Sequence, residues 1–116
     1  MSIKYIALDM DGTTLRSDLT VSDEDLSSIR KALDNGIQII VASGRPFQNL
    51  RPEIRELPCN YSIQRNGALV CDWNNDHKPV HSSLIAPQDA YDILQYLVKQ
   101  DIFLSCSLQC SPTRSP

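Results

Sequence analysis

No apolar run in these 116 residues approaches the roughly 20 that a membrane-spanning helix needs, so no such helix is expected. The opening Met1-Ser2-Ile3-Lys4 lacks the long apolar region and small-residue cleavage site of a secretory signal. Positive charge is also short. With 11 Lys and Arg against 14 Asp and Glu, the net charge of −3 gives no basic face to hold nucleic acid. Paired cysteine motifs are missing: Cys59, Cys71, Cys106 and Cys110 stand 12, 35 and 4 apart, and the one close pair has no second pair and no His nearby. That argues against zinc and leaves free thiols in a reducing, cytoplasmic compartment. His77 and His81 are four apart, but Asn74-Asn75-Asp76 and Pro79 mark a turn there instead of a metal-binding helix face. Internal repeats are absent, and no protein partner can be inferred. What remains is an ordinary globular composition, 41% hydrophobic and 22% charged, in a length suited to one domain and short for two.

The chemistry concentrates between Ile3 and Leu15. A β-rich apolar run predicts a buried strand, which ends in Asp9-Met10-Asp11 and is followed by Gly12-Thr13-Thr14. Alternation in an extended chain puts Asp9 and Asp11 on one side. Two crowded carboxylates repel unless a cation lies between them or one holds a proton. A hard divalent ion with oxygen ligands, above all Mg²⁺, meets that need. Gly12 lets the backbone turn and present amide N–H groups to a phosphate. An acidic turn is the plainer reading of Asp-x-Asp alone; the Gly-Thr-Thr-Leu behind it favours a phosphoryl-transfer site.

Further along, Ser22 caps a helix, with Asp25 completing a capping box and Val21 and Leu26 at staple positions. Leu26, Ile29 and Leu33 form its apolar stripe and Gly36 stops it. Ile37 to Ala42 reads as a strand buried on both faces. Strand, helix and strand make a parallel unit, so Ser43 should lie near Asp9 on the edge where open α/β folds bind ligands. Ser43, Gly44 and the amides after them suit a phosphate oxygen, and Arg45 supplies a cation toward substrate. Pro46 suits a helix's first turn, and Pro52 should divide the segment up to Leu57. Tyr61-Ser62-Ile63 is a short third strand, followed by Asn66-Gly67-Ala68, which reads as a hairpin turn. A hairpin around residues 74–76, an amphipathic helix from Pro87 to Gln100 and a strand at Ile102 to Ser105 come next. Residues 107–116, rich in Ser and Pro, read as a disordered tail or as an out-of-frame one left by a truncation or frameshift.

Asp9-Met10-Asp11-Gly12-Thr13-Thr14-Leu15 resembles the first signature of the haloacid dehalogenase (HAD) superfamily of phosphohydrolases. Ser43-Gly44-Arg45-Pro46 resembles its second, and Asn66-Gly67-Ala68 resembles the junction of its Cof-type branch, where the core passes into an α/β cap. The resemblance implies an α/β fold: a partial Rossmannoid parallel-sheet core over 1–67 and the beginning of a cap over 68–106, before the tail at 107–116. It implies a Mg²⁺-dependent phosphatase with Asp9 as nucleophile and Asp11 as general acid/base, both serving the metal. Phosphate or substrate would be met by Met10, Gly12, Ser43, Gly44, Arg45 and Asn66, and the substrate would be a small phosphorylated metabolite such as a sugar phosphate. Two later signatures, a bridging Lys and a Gly-Asp-x-x-x-Asp loop, are missing: after Ser83 the only lysine is Lys99, and no Gly follows Gly67. A catalytically inactive fragment or phosphate-binding module is therefore a rival reading. A phospho-receiver domain is another, opposed by a third strand that ends in Gln64-Arg65-Asn66 with no acceptor Asp.

Overall fold

The computed structural model describes residues 2–106. Five strands form one mixed sheet in the order β1-β2-β3-β4-β5: β1 Tyr5–Asp9, β2 Gln38–Ala42, β3 Tyr61–Gln64, β4 Leu69–Asp72 and β5 Lys78–Ser82. The first three run parallel, and β4 and β5 return antiparallel. Helix α1, Asp23–Asp34, connects β1 to β2, while α2, Pro52–Arg55, lies between β2 and β3. Ser22 Oγ caps α1 by accepting the Asp25 N–H at 3.0 Å. The capping box differs from the usual one, because Asp25 Oδ2 accepts from the Ser22 hydroxyl at 2.6 Å instead of from its backbone. Pro52 opens α2 and so does divide its segment, with a single turn at Phe47–Asn49 before it.

The core gathers Met10, Ile29, Ile39, Val41, Ile54 and Cys59 with their neighbours, and Val21 and Leu26 pack against it as a staple would. Two strand expectations need correction. β1 is not buried: it is an edge strand among the described residues, and Tyr5, Ala7 and Asp9 are exposed. β2 buries Ile39 and Val41 on one face, while Ile40 and Ala42 on the other are only partly covered.

The chain divides into two compact units, Met1–Leu84 and Ile85–Pro116. The sheet carries on past Gly67 through β4 and β5. In the second unit α3, Pro87–Leu97, starts at its proline, and Gln88 Nε2 donates to Asp92 Oδ1 at 2.9 Å. Ile102 to Ser105 forms no strand, since an extended segment needs a ladder partner and none pairs with it among the described residues. The expected tail, 107–116, lies outside the described residues. Among them, no helix is long and apolar enough to cross a membrane.

Candidate active site

Asp9 closes β1 in register with Ala42 of β2, so Ser43 begins where the two parallel strands end side by side. The chain then turns tightly through Met10–Thr14, with Gly12 at φ +75°, in the left-handed region that favours glycine. The two threonines of the turn fold back on Asp9. Thr13 Oγ1 donates to its Oδ2 at 2.7 Å, and Thr14 Oγ1 donates to its backbone carbonyl at 2.6 Å. Asp9 is thereby held with Oδ1 left without a partner among the described residues. The Met10 side chain is wholly buried in the core, so only its main chain is available to a ligand.

Ser43 is buried, donates its N–H to the Ile63 carbonyl at 2.9 Å and accepts the Arg45 N–H on Oγ at 3.1 Å. Its hydroxyl proton stays available for a phosphate oxygen. Arg45 crosses to the first motif and grips Asp11 with both arms, Nε to Oδ2 at 2.9 Å and Nη2 to Oδ1 at 2.8 Å. This paired carboxylate raises the Arg45 pKa further above its ordinary value, so the guanidinium stays charged. Asn66, at φ +55°, presses against Gly44: a Cβ built there would stand 2.8 Å from Asn66 Oδ1. All the residues expected from sequence except the Met10 side chain thus cluster at one end of the parallel strands.

The residues fit a hard divalent ion in part. Asp9 offers its carboxylate, with Oδ2 bonded to Thr13 and Oδ1 open, and Asp11 its backbone carbonyl, but no third His, Cys, Asp or Glu joins them among the described residues. Magnesium sites commonly keep water and substrate phosphate in their shell, which suits so spare a donor set.

Sequence reasoning missed Gln64. The sequence reads its strand only as Tyr61-Ser62-Ile63 and assigns it no face, and it is the polar pair that is buried: Ser62 is 0% and Gln64 4% exposed, while Tyr61 and Ile63 are only half-buried. It also gave no role to Phe47, whose ring lies 3.7 Å from that of His77 and 5.0 Å from that of Trp73. The His77 side chain is thus part of an aromatic cluster with Phe47 and Trp73.

A family model described as haloacid dehalogenase-like hydrolase matches residues 6–111. Among curated relatives, a 5-amino-6-(5-phospho-D-ribitylamino)uracil phosphatase of Bacillus subtilis is 36% identical over 75 residues, 64% of this chain and 30% of that protein. The phosphatase YwpJ of the same organism is 32% identical over 102 residues, 87% of this chain and 35% of its own. A solved phosphatase of the haloalkanoate (HAD) superfamily from Bacteroides thetaiotaomicron superposes with a TM-score of 0.73 at 31% identity, covering 84% of this chain and 35% of that one. The chain therefore spans about a third of the length of the relatives it matches.

Proposed function

This chain belongs to the haloacid dehalogenase-like hydrolase family, and on that premise we propose that it forms the nucleophile and phosphate-binding part of a Mg²⁺-dependent phosphatase acting on small phosphomonoesters. The observation that carries the reading is the convergence of Asp9, the Arg45–Asp11 pair and Ser43 at one end of two parallel strands. Asp9 Oδ1 attacks phosphorus; the bond from phosphorus to the leaving oxygen breaks, and Asp11 gives that oxygen a proton. Water then attacks the aspartyl-phosphate, Asp11 takes its proton, and phosphate leaves with Asp9 restored. Mg²⁺ held by Asp9 and the Asp11 carbonyl would neutralise phosphate charge.

Arg45 holds both carboxylate oxygens of Asp11, so Asp11 cannot offer a proton until that grip opens. A bound phosphate presents Arg45 with a competing anion and releases Asp11 when substrate arrives. Ser43 and the amides of Gly12 and Gly44 hold the remaining phosphate oxygens, with Asn66 lodged behind them. The core would pass to the cap between Gly67 and Ile85, and the cap would select the substrate. The curated relatives' names point to small phosphorylated metabolites. A cytoplasmic setting belongs to the same reading, supported by free Cys59, Cys71 and Cys106.

A second reading, phosphate binding without turnover, is favoured for these 116 residues by themselves, because a bridging Lys and a second acidic loop are missing after Gly67. One experiment addresses both: residues 1–106 replace the matching part of YwpJ, and phosphate release with Mg²⁺ is assayed. Turnover in the chimera that Asp9→Asn abolishes supports the enzyme. Phosphate binding by the chain itself, with an inert but folded chimera, supports the module.

A further inference from the structure

We propose that Gln64 is a positioning residue for the loop that carries Ser43, Gly44 and Arg45; this rests on reading that loop as the phosphate-binding loop. Gln64 closes β3, and its buried amide is engaged at both ends: Oε1 accepts the Phe47 N–H at 2.9 Å, and Nε2 donates to Ser62 Oγ at 2.8 Å. An amide taken from water costs free energy unless it is paired, and an apolar side chain would fill the same space without that risk. What the amide adds is an acceptor that reaches across to the next loop.

The loop is fastened at its two ends by neighbouring residues of one strand. Ser43 N–H donates to the Ile63 carbonyl at 2.9 Å, and Phe47 N–H donates to the Gln64 side chain. Between these anchors Arg45 is steadied by its own N–H bond to Ser43 Oγ and reaches Asp11 with both guanidinium arms. Asn66, two residues beyond Gln64, fills the space over Gly44. The end of β3 thus holds the loop at residues 43, 44 and 47, while the one side chain between them that must exchange partners on substrate binding is aimed by the backbone so fixed. Gln64 touches no reacting atom, and its effect passes through Phe47 and Arg45.

A purely structural role would be shared with the rest of the core, and the packing argues against that. The Phe47 ring is gripped independently by Trp73 and His77 from the far hairpin, so the loop stays attached without the amide. What depends on Gln64 is the path of the backbone from Ser43 to Phe47.

The test compares the wild-type chain with Gln64→Met, which keeps the length and loses the acceptor, and Gln64→Glu, which restores it. Either protonation state of the Glu can accept the Phe47 N–H and pair with the Ser62 hydroxyl. Inorganic phosphate is titrated by calorimetry, and hydrogen exchange is followed by mass spectrometry over 43–48 and over 38–42. Gln64→Met is expected to weaken phosphate about tenfold, the equivalent of one net hydrogen bond, and to speed exchange over 43–48 while 38–42 stays protected. Gln64→Glu should recover both. Wild-type affinity and exchange in the Met variant would overturn the proposal, as would equal loss of protection in both segments or failure of Glu to rescue. If the wild-type chain takes up no phosphate, the phosphate-loop reading fails, and the exchange comparison still decides whether Gln64 positions the loop.

Discussion

Gly12 and Gly44 serve the same site for different physical reasons. At Gly12 nothing lies within 4 Å of a built Cβ, and the constraint is the backbone at φ +75°. Gly12→Ala should therefore cost about 1 kcal/mol in urea denaturation, through strain alone. At Gly44 the backbone is ordinary, and the obstacle is the end of the Asn66 side chain, 2.8 Å from a built Cβ. That amide can swing aside, so Gly44→Ala should leave stability within about 0.5 kcal/mol yet disturb phosphate binding by displacing Asn66. Equal destabilisation by both substitutions would refute this distinction. Cys59 supplies a prediction with a pH axis. Burial pushes its thiol up from 9.0 to about 12, so the fold favours the neutral form. Its contribution is fully present below pH 9 and is lost as pH climbs toward 12, by up to about 1.4 kcal/mol per unit. Unfolding free energies at pH 8 and pH 10.5 should diverge in the wild type and less so in Cys59→Ala.

At the scale of elements, the sequence was most legible where a local rule and a tertiary demand agree. The Ser22 cap, the stripe of α1 and the proline start of α3 are local signals, and each stands where it was read. Ser22→Ala should cost about 1 kcal/mol, read as a fall in melting temperature. Asp9 and Ser43 meet because parallel strands end together, an inference that needs only strand, helix and strand. Legibility failed where the partner of a segment decides its state. Alternation could not tell that the polar side of β3 faces inward, because Gln64 is satisfied by Phe47, a residue 17 positions away. Apolar content at Ile102 to Ser105 suggested a strand, but a strand exists only with a neighbour to bond. The grip of Arg45 on Asp11 spans 34 residues and had no local trace, although both residues had been picked out. The hairpin of β4 and β5 contributes to the site at a distance, since Trp73 packs on Phe47 at a near-right angle of 88°. Trp73→Ala should therefore lower stability by about 3–5 kcal/mol and loosen the loop after Arg45; a loss below about 1 kcal/mol would show that the cluster holds nothing.

For the molecule as a whole, the two edges of the sheet are unlike. β5 carries Lys78 and Pro79, and a bulge between Val70 and Cys71 disturbs its pairing with β4, three devices that discourage another strand from adding. β1 has none of these along Tyr5–Asp9, and it borders an open groove of about 260 Å³ lined by Ile6, Leu8, Ile29, Ala32 and Ile39. These 116 residues made alone are therefore expected to self-associate through β1, and Ala7→Lys, which sets a charge on an exposed edge position, should restore the monomer. They are also expected to be catalytically silent. Without a bridging Lys the phosphate loses a cation, and without a second acidic loop the metal loses a ligand. Removing one such electrostatic element commonly costs about 10²–10³ in rate, and the two together would leave turnover below detection. The check is sedimentation of the wild-type and Ala7→Lys chains beside a phosphate-release assay with Mg²⁺. A monomeric wild-type chain would remove the edge argument. Metal-dependent turnover that Asp9→Asn abolishes would mean that groups already within the chain, Arg45 foremost, supply the charge assigned here to the missing lysine.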